Sequence, residues 1–129
     1  MKDKRVIFVI ASAIILLTNL PPFNQILKAL VDEGHYRYSN YNGSFTSYEF
    51  VSRNFKMVKS AHRGCLKHRP ELEDKKLYRL FSKNPLAFWR WGLYFFDEPY
   101  KLPYKNWEDI KKTRTEENVK GRTGCTMEF

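Results

Sequence analysis

The chain has 129 residues, a formal net charge of +9 and a high aromatic content of ten Phe, eight Tyr and three Trp. So many rings must be buried against each other, a partner or a bilayer, and the composition therefore excludes a disordered polar stalk. The sequence contains no zinc-protease, nucleophile-elbow or phosphate-binding motif, so we expect neither an enzyme nor a cofactor.

A membrane-targeting segment is predicted at the start of the chain. Residues 1–5 are basic, and residues 6–20 are apolar except at Ser12, Thr18 and Asn19. A basic flank before an apolar run is the pattern that the translocation machinery reads. We therefore expect the rest of the chain to be delivered to a membrane or through it.

Retention of this segment as a signal anchor is favoured over its cleavage. Residues 18–23 lack the small-residue pattern of a cleavage site. A helix kinked at Pro21 and Pro22 would be long enough to span a bilayer, which predicts a transmembrane segment over 1–27. The alternative is that the prolines end the first helix and that 23–31 is a separate amphipathic helix at the membrane interface.

The charges on either side of the segment predict its orientation. Residues 1–5 carry three cations, whereas Lys28 on the other side is offset by Asp32 and Glu33. By the positive-inside rule the N-terminus stays cytoplasmic. The remainder would form an extracytoplasmic domain of a single-pass membrane protein.

The fold class predicted for the chain is mainly α. After the transmembrane helix we expect one small helical domain over 28–112, followed by a polar tail over 113–129. A domain of this size is near the lower limit for a self-sufficient core. A disulfide between Cys65 and Cys125, expected in an oxidising compartment, would stabilise it and hold the tail.

The first elements of the domain are a short helix over 23–33, ended by Gly34, and a turn at Asn42 and Gly43. The turn dipeptide favours one short β-hairpin, although its flanks alternate poorly. Residues 46–49 then match a capping box, which predicts that a long helix begins there.

On a helical wheel this long helix has one apolar and one basic face. The apolar face includes Cys65, and the basic face is free of acids. Such a stripe would bind lipid head groups, a polyanionic polymer or an acidic protein, whereas nucleic acid is not expected on the extracytoplasmic side. The alternative is that the cations only solvate the outer face. The members of this basic stripe are Arg53, Lys56, Lys59, Arg63 and Lys67.

Two other functions for the cysteines deserve comparison with the disulfide. His62, Cys65 and His68 lie at spacings of three and, with Cys125, would supply a metal site of two cysteines and two histidines. The spacing matches no zinc module, and a Cys-His nucleophile pair would lack an orienting residue. We therefore predict no metal ligand and no catalytic residue.

Two further helices are predicted after Pro70. The first covers 71–81 and is amphipathic, with acids in its first turn. The second covers 85–96, is capped by Asn84, and is apolar on nearly all sides. A helix of that kind is either central to the core, which is favoured here, or docks on a partner or a membrane interface. The docking candidates on it are Trp89, Arg90 and Trp91.

The last predicted elements are an extended segment over 100–104 and a short helix over 107–112, capped by Asn106. Taken together, the patterns predict a single-pass membrane-anchored, non-enzymatic accessory or interaction subunit of a membrane-associated complex. Its partners would be the membrane and another protein, with an anionic lipid or polymer as a further candidate. The alternative is a cleaved, secreted basic protein that binds anionic surfaces.

Overall fold

A computed structural model of the chain describes residues 2–68, 75–115 and 125–127. This part is mainly helical, as predicted, and contains five α-helices, two 3₁₀ turns and a small antiparallel sheet of three strands. The elements in chain order are α1 (Lys2–Asn19), α2 (Phe23–Leu30), β1 (Arg37–Ser39), β2 (Thr46–Tyr48), α3 (Phe55–Lys67), β3 (Tyr78–Arg79), a 3₁₀ turn (Phe88–Arg90), α4 (Trp91–Phe96), a second 3₁₀ turn (Glu98–Lys101) and α5 (Trp107–Thr113).

The N-terminal segment consists of two helices rather than one kinked helix. Within the described residues no single helix is long and apolar enough to cross a membrane, whereas α1 and α2 together meet that criterion but are bent by 78°. Pro21 and Pro22 lie at the bend, where their rings and missing N–H groups interrupt the helix. The two-helix geometry matches the alternative in which the prolines end the first helix. α2 ends at Leu30, one residue before the end of the separate helix over 23–31 and three before the end of the helix predicted over 23–33.

The predicted hairpin is present, and its loop covers residues 40–45. β1 pairs with β2 in antiparallel register, and β3 pairs with the other edge of β1. Asn40 closes the loop, since its Oδ1 accepts from the Phe45 N–H at 3.0 Å and its Nδ2 donates to the Ser44 Oγ at 2.6 Å. Gly43 has a φ of +71°, which explains why glycine follows Asn42 here.

The helix start predicted at 46–49 is wrong. Thr46–Tyr48 is strand β2, and α3 begins only at Phe55, where the Asn54 side chain accepts from the Met57 N–H at 3.1 Å. The capping pattern fails because Thr46 has partners far along the chain: its N–H donates to the Cys125 carbonyl at 3.0 Å. A long-range pairing of this kind overrides a local helix signal.

The helix predicted over 71–81 is also wrong for the part that the structure describes, and residues 71–74 lie outside that part. Tyr78–Arg79 is strand β3, and Leu77 and Phe81 are buried beside it. Arg79 donates its N–H to Pro103 and accepts from Lys105, so β3 lies between β1 and the segment that follows the second 3₁₀ turn. The extended segment predicted over 100–104 is accordingly extended only beyond Lys101.

The apolar helix predicted over 85–96 is shorter than expected and does not form the centre of the core. Its first part is the 3₁₀ turn, and Leu93 is the buried residue of α4, whereas Phe95 and Phe96 are 75% and 84% exposed. The helix predicted at 107–112 is confirmed as α5, with the Asn106 side chain accepting from the Glu108 N–H at 2.9 Å.

The core is a cluster of aromatic rings between the sheet and the surrounding helices. Phe81 is its centre, with ring centroids 5.0 Å from Tyr36, 5.5 Å from Tyr38 and 5.2 Å from Tyr100, all near-perpendicular. Edge-to-face packing of this kind stabilises the fold by more than the burial of the ring surfaces alone would do. Cys65 and Cys125 are paired, with Cα atoms 5.8 Å apart and a sequence separation of 60, so Cys125 is tied to α3.

Candidate functional site

Helix α1 carries exposed apolar side chains on every side. The five residues from Val6 to Ile10 are consecutive and are each between 53% and 73% exposed. Because consecutive residues step by about 100° around a helix, such a run covers the whole circumference. An isolated helix without a polar face is stable only in apolar surroundings.

The C-terminal end of α1 is joined to the domain through the Asn19 side chain. Its Nδ2 donates to the Phe88 carbonyl at 2.7 Å and to the Ile15 carbonyl at 2.8 Å. Its Oδ1 accepts from the Gly92 N–H at 2.5 Å. Asn19 therefore connects the apolar helix to both the first 3₁₀ turn and α4.

Close approach at this junction requires glycine at position 92. A Cβ at Gly92 would lie 2.9 Å from the Asn19 carbonyl oxygen, which is too close for any side chain. By contrast, a Cβ at Gly64 in α3 would meet nothing within 4 Å. The absence of a side chain at 92 thus allows α1 to pack directly on α4.

Helix α2 has the reverse of the usual orientation of an amphipathic surface helix. Phe23, Ile26 and Leu30 are 51%, 50% and 74% exposed, whereas Asn24 is buried and the side chain of Lys28 is only 13% exposed. In a water-soluble protein the apolar stripe faces the core. Here α2 turns Asn24 and Lys28 toward the domain and its larger apolar side chains outward, although Gln25 is also exposed and Leu27 is half-buried.

A cluster of buried charges holds α2 in this orientation. The Lys28 ammonium lies 3.2 Å from a Glu49 carboxylate oxygen and 3.0 Å from one of Asp97, and it also lies 4.4 Å from the centre of the Tyr36 ring. Glu49 in turn accepts a hydrogen bond from the Tyr38 hydroxyl. Burial and the Glu49 charge both raise the pKa of Tyr38, so this hydroxyl stays protonated and donates.

A second buried pair lies between the end of α2 and the first 3₁₀ turn. One oxygen of Asp32, which is 2% exposed, accepts from Arg90 at 2.6 Å and from the Trp89 indole at 3.2 Å. His35 lies nearby, and burial, followed by the charge of Arg90, lowers its pKa to about 4. The imidazole is therefore neutral at physiological pH.

A cavity of about 360 Å³ opens beside these charges. Its walls come from α2, from the turn between β2 and α3, and from residues 97–99, and Lys28, Asp32 and Glu49 line it. Lys28 is engaged by two carboxylates, and Asp32 is engaged by Arg90. These contacts are charge pairs that position α2. The second carboxylate oxygen of Asp32 is buried without a hydrogen-bond partner, and the exposed Glu33 also lines the cavity.

The structure places the three docking candidates together but in different roles. The polar atoms of Trp89 and Arg90 turn inward to Asp32. Trp91 is 40% exposed, and its indole N–H donates to the Pro85 carbonyl at 2.8 Å. Trp91 is therefore the candidate that presents its ring most directly to a neighbour.

The basic stripe is only partly on α3. Arg53 precedes the helix, in a turn where its backbone pairs with the backbone of Phe50, so its side chain does not continue the basic face of α3. Lys59 forms an ion pair with Glu98 at 2.6 Å. The exposed members of the stripe on α3 are Lys56, Arg63 and Lys67.

The pairing of the two cysteines excludes both the metal site and the Cys-His nucleophile. Neither sulfur is free. His62 is buried with its ring 5.0 Å from that of Phe45, and burial lowers its pKa. In the part of the chain that the structure describes, no group of three or more His, Cys, Asp or Glu is arranged to hold a metal ion.

Several residues of this site were missed at the sequence level. In the sequence Asp32 and Lys28 stand out only as charges that flank the apolar segment, and Glu49 matches the last position of the capping box over 46–49. Asn19 interrupts an apolar run, and a polar residue in such a place is the signal that would have singled it out.

Searches against protein-family models, curated proteins and solved structures find no match to this chain.

Replacing Gly92 with Ala should weaken the junction between α1 and the domain. The new Cβ would collide with the Asn19 backbone and should cost about 1–3 kcal/mol of unfolding free energy. The measurement is urea unfolding of the full chain in detergent, followed by near-ultraviolet circular dichroism, with hydrogen exchange at residues 15–22. Gly64→Ala is the matched control and should be neutral or stabilise by about 0.5–1 kcal/mol. Equal behaviour of the two variants would contradict the assigned contact.

Replacing Lys28 with Met should destabilise the domain, because the buried Glu49 and the partly exposed Asp97 would lose their shared cation. Removal of one partner from a buried pair costs about 3–5 kcal/mol, and the 23% exposure of Asp97 places the expected loss at the lower end of that range. Lys59→Met, which breaks the more exposed pair with Glu98, should cost at most about 1 kcal/mol. The same unfolding measurement compares them, and a loss for Lys28→Met no larger than for Lys59→Met would rule out a structural role for the cluster.

Proposed function

We propose that this protein is a single-pass membrane-anchored, non-enzymatic interaction subunit of a membrane-associated complex. The observation that carries the proposal is that apolar side chains are exposed on all sides of α1 between Val6 and Ile10. In water this surface would be unfavourable by about 25 cal/mol for each square ångström exposed. A bilayer removes that cost without requiring a partner for each face of the helix.

The Asn19 junction supports retention of α1 over its removal. Cleavage near residue 20 would leave the Phe88 carbonyl and the Gly92 N–H without the partners that Asn19 now provides. It would also uncover the surface on which α1 packs against the first 3₁₀ turn. A segment that completes the domain in this way is suited to a permanent anchor.

The proposed orientation places the N-terminus in the cytoplasm and the domain outside it. The cations at Lys2, Lys4 and Arg5 support this orientation through the positive-inside rule. The pairing of Cys65 with Cys125 is consistent with it, because disulfides persist in oxidising, extracytoplasmic compartments.

The non-enzymatic part of the proposal rests on how the buried ionisable groups are used. Lys28 forms ion pairs with both Glu49 and Asp97, and Asp32 is held by Arg90 and Trp89. Catalytic acids and bases need a proton that they can exchange with a substrate. Groups that are committed to one another in this way are suited to a fixed scaffold that presents surfaces to a membrane and a protein partner.

The decisive experiment is the intact mass of the native protein, combined with extraction of membranes at alkaline pH. We expect a full-length mass near 15.5 kDa, resistance to extraction, and alkylation of the cysteines only after reduction. A mass lower by roughly 2 kDa, together with release into the soluble fraction, would show removal of a signal of about twenty residues and contradict the anchor. Ile10→Lys should release the protein, since a central charge costs about 3 kcal/mol on insertion, whereas Ile10→Leu should not.

A second candidate function is a secreted protein that binds anionic surfaces through α3. The observation in its favour is that Lys56, Arg63 and Lys67 are exposed along the same helix. Clustered surface cations attract polyanions in a manner that salt weakens.

Charge reversal separates this function from simple solvation of the helix. If α3 binds polyanions, replacing Lys56, Arg63 and Lys67 with Glu should abolish retention of the detergent-solubilised protein on a sulfated-polymer column at low salt. A matched control replaces the exposed Lys75, Lys83 and Lys101 with Glu, which changes the net charge equally. Equal losses in the two variants would leave only the overall charge as the cause and reject a specific binding face.

A further inference from the structure

We propose that the domain is embedded in the membrane interface through a ring of apolar side chains around the end of α1, here called the collar. This inference rests on the proposed membrane anchor and adds a second, peripheral contact with the same bilayer. Each member of the collar is at least 50% exposed. The members are Phe23, Ile26, Leu30, Val31, Phe95 and Phe96.

The direction of α2 is the first argument. Its axis is bent by 78° from that of α1, so a helix α1 that stands along the membrane normal places α2 nearly parallel to the membrane surface. Interfacial helices lie in that plane with their apolar face buried about 5–10 Å into the boundary between head groups and acyl chains.

The side of α2 that faces outward is the second argument. Phe23, Ile26 and Leu30 follow helical spacing on the exposed face, and the opposite face carries Asn24 and Lys28 toward the domain. The buried contacts of Lys28 with Glu49 and Asp97 fix this rotation, because turning α2 over would separate the ammonium from both carboxylates. The exposed apolar stripe is thus maintained by the fold and requires apolar surroundings.

The position of α4 is the third argument. Gly92 contacts Asn19 at the end of α1, and Phe95 and Phe96 follow within about one helical turn, or about 5–6 Å. α1 contacts both α2 and α4, so the exposed rings of both short helices lie close to the point where α1 leaves the domain. Continuity with the anchor identifies the bilayer as the surface that covers them.

The length of α1 makes this second contact physically useful. The apolar stretch over 6–20 extends roughly 22 Å, short of the ~30 Å hydrocarbon core of a typical bilayer. A short span is accommodated by local thinning of the bilayer or by flanking residues that reach into the interface. A collar of aromatic and aliphatic side chains beside the helix would place the domain deeper in the membrane interface. The short apolar length of α1 would then be sufficient to span the hydrocarbon core.

The test uses the purified full-length protein in phosphatidylcholine vesicles that contain a lipid with a photoactivatable group near the top of its acyl chain. After illumination, mass spectrometry locates the labelled residues. We expect label on α1 and on the collar, and none on Met57, an exposed residue of α3 that serves as the internal control. Phe95→Ser combined with Phe96→Ser should lose the label on α4 and keep that on α1, whereas Met57→Ser should leave the pattern unchanged.

The remaining outcomes separate the collar from the anchor. Label on α1 alone would overturn the collar and leave the proposed anchor intact, whereas absence of label from α1 would overturn both. The same lipid introduced into native membranes tests for a protein that covers the collar. Loss of collar labelling there, with α1 still labelled, would assign this surface to a protein partner and overturn the lipid contact.

Discussion

The buried contact of Lys28 with Glu49 and Asp97 is the constraint on which the rest of this structure depends. It joins α2, the end of β2 and the end of α4, which are far apart in the sequence. An ammonium group removed from water needs close anionic partners, and two carboxylates confined in one place need a cation. This mutual requirement fixes the rotation of α2, and with it the outward direction of Phe23 and Ile26. Apolar exposure at this end of the molecule is therefore a consequence of how the charges are satisfied.

The same principle explains how an apolar helix and a folded domain are connected. Asn19 would be costly within an apolar segment if its amide had no partners. Its bonds to Phe88 and Gly92 remove this cost and join α1 to the domain at a defined contact. The Asp32 pair with Arg90 lies beside this junction and holds the first 3₁₀ turn against the end of α2. Polar side chains thus form the internal contacts of a region whose outer surface is apolar.

Much of the local structure followed from the sequence, because its signals were local. Asn106 caps α5 as expected, the Asn42 and Gly43 pair turns the hairpin, and the cysteines meet. Thr46 failed as a helix cap because its backbone pairs with residues about eighty positions away, which no local pattern contains. Tyr78 and Arg79 failed for a related reason: they sit between β1 and the segment near Pro103, and pairing on both sides favours a strand despite a helical distribution of charge.

The candidate site was harder to predict than the fold because its large apolar side chains point outward and its charged side chains point toward the domain. Apolar residues usually point inward, so the apolar pattern over 85–96 favours a core helix, and Lys28 stands out in the sequence only as a charge that flanks the apolar segment. In the structure Phe95 and Phe96 are exposed while Lys28 is nearly buried. A small domain already filled by the rings around Phe81 has little room for more aromatic side chains, and the surplus must lie elsewhere. If α1 is the membrane anchor proposed above, side chains placed around its base would meet the same bilayer, and an arrangement that would promote aggregation of a soluble protein would become a means of attachment.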